Sequence, residues 1–114
     1  MLPLDIMSTM NYKITQIDKN QARKLVSQIV KSQASPLVFS KHALIELEND
    51  DLTTADALNV LKSPDAKILN DGELSSGTYR YRIETAYILV VIAFSEDGKK
   101  IIIVTVWDKR KKGS

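Results

Sequence analysis

The apolar positions change period along the chain, and the change splits it into a helical first half and a β-rich second half. Ala22, Leu25, Val26, Ile29 and Val30 recur at helical spacing behind Asp18, an N-cap residue type. They predict an amphipathic helix of about four turns ending near Ser35-Pro36. Before it, Asn11 to Ile17 alternates and is either a short strand or extended chain. Leu37 to Phe39 is a brief apolar link, and Ser40 then caps a second helix, KHALIELEN, with Ala43, Leu44 and Leu47 facing inward. Asn49-Asp50-Asp51 interrupts it. Thr53 and Asp56 approximate a capping box at the start of a third helix, whose core residues are Leu58 and Leu61. Ser63-Pro64 ends that helix, because the residue before proline is pushed out of helical geometry.

From there the period falls to two. Ala66 to Leu69 reads as an edge strand, followed by a turn at Asn70-Asp71-Gly72 and a polar loop from Glu73 to Gly77. Thr78 to Trp107 then predicts three antiparallel strands. Its middle segment, Tyr87 to Phe94, is apolar nearly throughout, as a strand at the sheet centre should be. In the first segment Tyr79, Tyr81 and Ile83 share one face, and Arg80, Arg82 and Glu84 share the other. A two-residue turn at Thr85-Ala86 sets Ile83 against Ile88 and Tyr81 against Val90. A three-residue loop around Glu96-Asp97-Gly98 then brings Ile102, Val104 and Val106 into the core. That register leaves Ile101, Ile103, Thr105 and Trp107 on the second face with Arg80, Arg82, Tyr87, Leu89 and Val91, a basic, aromatic and partly apolar surface.

The expected fold is therefore α+β: about three helices packed on one face of a twisted antiparallel sheet of three to five strands. At 114 residues the chain is one domain's worth. Residues 1–10 read as a disordered leader, 11–108 as the domain and 109–114 as a frayed basic tail. Hydrophobic content of 44% and charged content of 26% are those of an ordinary globular protein. No apolar run is long enough to span a bilayer as a helix. The absence of cysteine removes disulfides and thiol chemistry and suits a reducing, cytoplasmic setting. The net charge is only +2, but its distribution is uneven. Six basic residues lie between Lys99 and the end, against Asp108 alone, whereas Glu46 to Asp51 holds four acids and no base. Those acids have irregular spacing and no further ligand group nearby, so they read as solvated surface and not as a metal site.

His42 is the single histidine, and it is either a proton-transfer group or a half-buried side chain bonding to backbone beneath the Ser40 cap. Arg80 and Arg82, two residues apart on one strand face, either grip a phosphate or balance Glu84 on a solvated face. Trp107 beside Lys109 is either a stacking group for unpaired bases or a core or interface anchor. No phosphate loop, dinucleotide turn or serine triad is present.

The order of parts, with Phe39-Ser40-Lys41-His42-Ala43-Leu44, then Leu52-Thr53 opening another helix, then an apolar antiparallel meander, resembles the RelE/MqsR-like superfamily of bacterial toxins. The likeness is to a branch with a Ser-x-His-Ala helix start and covers Val38 to Trp107. It implies helices on a twisted sheet and mRNA cleavage without metal or cofactor, often on the ribosome, with an antitoxin protein as partner. By position it implies His42, Arg80 and Arg82 as catalytic residues; in the mechanism it suggests, His42 or Lys109 assists proton transfer, Trp107 or Tyr87 stacks on a base, and Tyr87, Trp107 and Lys109 are the substrate contacts. In that branch basic residues often stand where this chain has Glu46 and Asp50, a departure that weakens RNA binding along the second helix. The competing expectation is a non-catalytic protein-binding module or an inactive relative of the toxins.

Overall fold

The computed structural model describes residues 10–112. In chain order the elements are α1 (Lys19–Ser32), β1 (Leu37–Phe39), α2 (Lys41–Asn49), α3 (Thr54–Lys62), β2 (Lys67–Ile68), β3 (Glu73–Ser75), β4 (Thr78–Glu84), β5 (Ile88–Phe94), β6 (Ile101–Asp108) and a helical turn, α4 (Lys109–Lys112). The fold is α+β. Its main path runs β1-β6-β5-β4-β2, and β3 pairs separately with β4. All pairings are antiparallel except β1 with β6, which is parallel. Leu37 to Phe39 is thus a strand rather than a link, and the sheet has six strands where three to five were expected.

The three main helices begin where their caps predict. Asp18 and Gln21 form a reciprocal capping box at α1. Thr53 and Asp56 do the same at α3, with Asp56 in the position usually held by Glu or Gln. The Ser40 hydroxyl accepts from the Ala43 amide at 3.0 Å and donates to the Val104 carbonyl at 3.1 Å. One side chain therefore starts α2 and ties it to β6. The helices bury Ala22, Val26, Ile29, Ala43, Leu47, Ala57, Val60 and Leu61 against one side of the sheet. Leu44, expected inward, is exposed, and Leu58 is only partly buried.

Residues 11–17 form a turn and an extended strap rather than a strand. Lys13 accepts the Tyr79 amide at 2.9 Å, and the Ile17 amide donates to the Tyr81 hydroxyl at 3.2 Å. The expected leader falls outside the described residues except for Met10, which packs on the core. The expected polar loop from Glu73 to Gly77 is a hairpin. Ser76 and Gly77 both have positive φ, 52° and 80°, the pair of left-handed conformations that a tight two-residue strand turn requires.

The first turn of the meander lies one residue later than expected. The Thr85 amide donates to the Ile88 carbonyl at 3.0 Å, so Ala86 and Tyr87 are the loop residues and Ile83 faces Val90. That displaces the pairing by two positions, which preserves each residue's face. The second turn has a different outcome. Ser95 pairs with Lys100 around a four-residue loop, with Gly98 at φ 70° and the Tyr12 ring so close that a Cβ there would lie 2.6 Å from it. The extra residue exchanges the faces, so Ile101 and Ile103 are fully buried while Ile102 and Val104 are not. A β-bulge then reverses the exchange: Ile92 faces Ile103 but Val91 faces Thr105, leaving Val104 unpaired. Beyond it Val106 returns to the core beside Val90, and Trp107 points away from it. The sequence-based assignment was thus inverted for residues 101–104 and right for 105–107.

No helix among the described residues is long and apolar enough to cross a membrane.

Candidate functional site

The side of the sheet without helices carries the residues that alternate with the core set. Arg82, Val91 and Thr105 form one row across β4, β5 and β6, and Glu84, Leu89 and Trp107 form the next. Arg80 precedes Arg82 by two positions on the same face. Strand spacing of about 4.8 Å puts the ends of each row roughly 10 Å apart, within the span of one or two nucleotides.

At the β3 end the arginines line a recess of about 310 Å³ with Asn70, Glu73, Ser75 and Val91. Asn70 holds the β4 backbone there: its side chain accepts from the Arg82 amide at 2.8 Å and donates to the Arg80 carbonyl at 3.2 Å. Glu73 sits opposite Arg80 in register and pairs with Arg82, Oε1 to Nη2, at 3.0 Å. The Arg80 Nε is buried and meets no acceptor among the described residues. A buried donor left unmatched is costly, and a guanidinium N–H can be satisfied only by an acceptor. With Arg80 and Arg82 both lining it, the recess offers donors to an anion carrying several oxygens.

The opposite end of this face is also basic, but its cations are engaged. Lys109 Nζ donates to Glu84 Oε1 and to the Thr85 carbonyl, both at 3.0 Å. Arg110 grips the buried Asp108 through two nitrogens at 3.2 Å and lies 4.9 Å above the Tyr87 ring. The hydrogen bond to Asp108, reinforced by its charge, raises the Arg110 pKa above the ordinary value. Tyr87 lies in the turn rather than on the strand, and it and Trp107 are exposed at 57% and 41%. Lys109 and Arg110, expected as part of a frayed tail, are thus anchored in place.

His42 is not brought to the arginines. It lies in the first turn of α2, which packs against β6, so β5 and β6 intervene before β4 is reached. Its side chain is exposed, and Nε2 is 3.3 Å from Glu46 Oε1, which corrects the expectation of a half-buried histidine bonding to backbone. Glu46 and Asp50 are not merely solvated surface either. Glu46 accepts the Val106 amide at 3.1 Å, and Asp50 accepts the Asp108 amide at 3.0 Å. Where β1 stops, these two carboxylates serve the amides along the outer edge of β6 that would otherwise be left unpaired. Of the six expected site residues, Arg80, Arg82 and Trp107 share the open face, Tyr87 and Lys109 lie at its rim, and His42 stands apart.

Sequence reasoning missed Asn70, Glu73 and the Asp108–Arg110 pair. Glu73 was within reach, because Glu-Leu-Ser alternation ahead of a Gly-containing turn is a hairpin signal that places it across from Arg80. Asn70 offers no such signal, since its role depends on the gap between β2 and β3. Among the described residues no group of three or more histidine or carboxylate side chains is placed to hold a metal ion.

Residues 39–108 match the model of a protein family described as a domain of unknown function, DUF4258. No curated protein and no solved structure matches the chain.

Proposed function

The chain belongs to the DUF4258 family, and from the open sheet face we propose that it is a RelE/MqsR-like toxin that binds single-stranded RNA there and cuts it without a metal. The observation that carries this reading is the Arg80–Arg82 pair, two guanidinium groups on one strand face that line a single recess of about 310 Å³. A phosphodiester oxygen can accept from both guanidinium groups, and the two charges suit the additional negative charge of a pentacovalent phosphorus. Trp107, exposed on the same face, offers a surface on which an unpaired base can stack. Cleavage follows from attack of a ribose 2′-hydroxyl on the neighbouring phosphate, a route that needs no cofactor. His42 lies more than about 10 Å from the arginines by strand spacing alone and takes no part at the same phosphate. Lys109, held by Glu84, shapes the rim. In the cell an antitoxin protein silences the activity.

The test is expression from a tightly controlled promoter with sequencing of RNA ends. Growth arrest with mRNA fragmentation that is lost in Arg80→Ala and Arg82→Ala supports the reading. A wild-type chain that leaves RNA and translation untouched sinks it. The second reading, a non-catalytic protein-binding module, is favoured by the exposed apolar side chains of Val38, Leu44, Ile45 and Trp107. Capture of a single protein partner without any effect on RNA would favour that module.

A further inference from the structure

The 2′-hydroxyl must lose its proton as it attacks; of the two expected proton-transfer groups, His42 is on the wrong side of β5 and β6, and Lys109 donates to Glu84 and the Thr85 carbonyl at the other end of the face. We infer that Glu73 is the general base of this site, an assignment that rests on the endoribonuclease reading above. Of the side chains lining the recess, two are arginines, and Asn70, Ser75, Leu74 and Val91 have no basic group. Glu73 is the one carboxylate among them. Three features place it for the task. It lies directly across β3–β4 from Arg80, and its Oε1 is 3.0 Å from Arg82 Nη2. Its side chain is also exposed, so the contact can open without unpacking the core.

In the free protein Glu73 occupies the guanidinium that a phosphate requires. An incoming phosphodiester takes over Arg82 and meets Arg80, which lines the same recess. Glu73, released from Arg82, is then free to turn toward the ribose on the 5′ side of that phosphate. Its carboxylate takes the proton from the 2′-oxygen while that oxygen bonds to phosphorus. The bond from phosphorus to the 5′-oxygen breaks, and that oxygen takes a proton from water. The products are a 2′,3′-cyclic phosphate and a 5′-hydroxyl end, with no net change of charge on the protein once Glu73 returns its proton to solvent. Arg80 and Arg82 hold the phosphate, and Glu73 moves the proton.

The assignment is tested on the full chain by single-turnover cleavage of an RNA oligonucleotide, alongside binding of the same oligonucleotide carrying 2′-deoxyribose at the scissile position. Glu73→Gln keeps the shape and removes the base. The expected result is a cleavage rate lower by about 10²-fold or more, with affinity for the uncleavable oligonucleotide unchanged or tighter because Arg82 is no longer occupied. Partial recovery of Glu73→Ala by added formate is expected as well. A Glu73→Gln protein that cuts as fast as wild type overturns the assignment while leaving the endoribonuclease reading intact. So does one that loses binding and cleavage in equal measure. A wild-type protein that does not cut RNA overturns both. Because Glu73 is at an exposed edge, the variant should fold, which its unfolding temperature checks directly.

Discussion

The two faces of this sheet are made by the same three strands, yet they differ in how completely their polar groups are matched. On the covered face Tyr81, Ile83, Val90, Ile92, Ile101, Ile103 and Val106 are buried, and the one hydroxyl among them is bonded to the Ile17 amide. On the open face Glu73 and Arg82 meet in an exposed pair, and Arg80 Nε has no acceptor among the described residues. The difference teaches where to look for binding. Buried polar groups in folded proteins are matched as a rule, so a donor with no acceptor among the described residues sets the open face apart from the covered one and is a reason to test it for binding. A second contrast within the open face sharpens this. Lys109 and Arg110 are as basic as Arg80 and Arg82, but their partners are already supplied by Glu84 and Asp108.

The comparison can be broken most directly through β6. Ile103→Ala should destabilise the protein by about 2–5 kcal/mol in denaturant unfolding, the usual range for a buried isoleucine. Ile102→Ala, one residue away but facing outward, should cost clearly less. Equal losses would mean that the four-residue loop after Ser95 does not set which of the two residues faces the core. On the open face, Arg80→Ala should weaken binding of a single-stranded RNA by roughly 10- to 100-fold, since charged hydrogen bonds contribute about 1.5–3 kcal/mol. Stability should hardly change, because the Nε–H it removes is unmatched. A large loss of stability with no loss of affinity would make Arg80 a structural residue instead.

Tyr81→Phe tests the covered face's own polar contact. It leaves the Ile17 amide without its acceptor and should cost about 1–3 kcal/mol. Burial raises the Tyr81 pKa, an effect the Ile17 amide partly offsets and Tyr79 slightly adds to. The unfolded chain therefore ionises first as pH rises. Stability from this group is whole below about pH 10 and is lost as pH climbs through the folded pKa. Unfolding titrations of wild type should show that alkaline loss, and Tyr81→Phe should show less of it. The smallest effect is expected at the engaged end: Lys109→Ala should change RNA affinity less than about threefold and stability by no more than about 1 kcal/mol. A loss there comparable to that of Arg80→Ala would erase the distinction between matched and unmatched cations.

Much of the fold was legible from local chemistry. Asp18, Ser40 and Thr53 announced three helix starts, because a capping side chain acts on amides two or three residues away. Strand alternation separated Arg80 and Arg82 from Tyr81 and Ile83, since each side chain's face follows from its neighbour's. The candidate site was legible only in that half. Its second half depended on a loop one residue longer than expected and a bulge that undid the shift, two irregularities whose effects cancel at Trp107.

What the sequence determined by itself was everything decided within a few residues: caps, helix faces, strand alternation and the existence of the meander. What only the tertiary structure decided was every relation between distant segments. Glu46 and Asp50 read as surface acids until they met the β6 edge, and His42 read as a site residue until β5 and β6 came between it and the arginines. Glu73 read as loop until it paired with Arg82. The physical reason is that a local pattern fixes the direction of a side chain relative to its own element, whereas its partner depends on strand order and register. In this chain those were set by single-residue choices at Ala86-Tyr87, Lys99 and Val104.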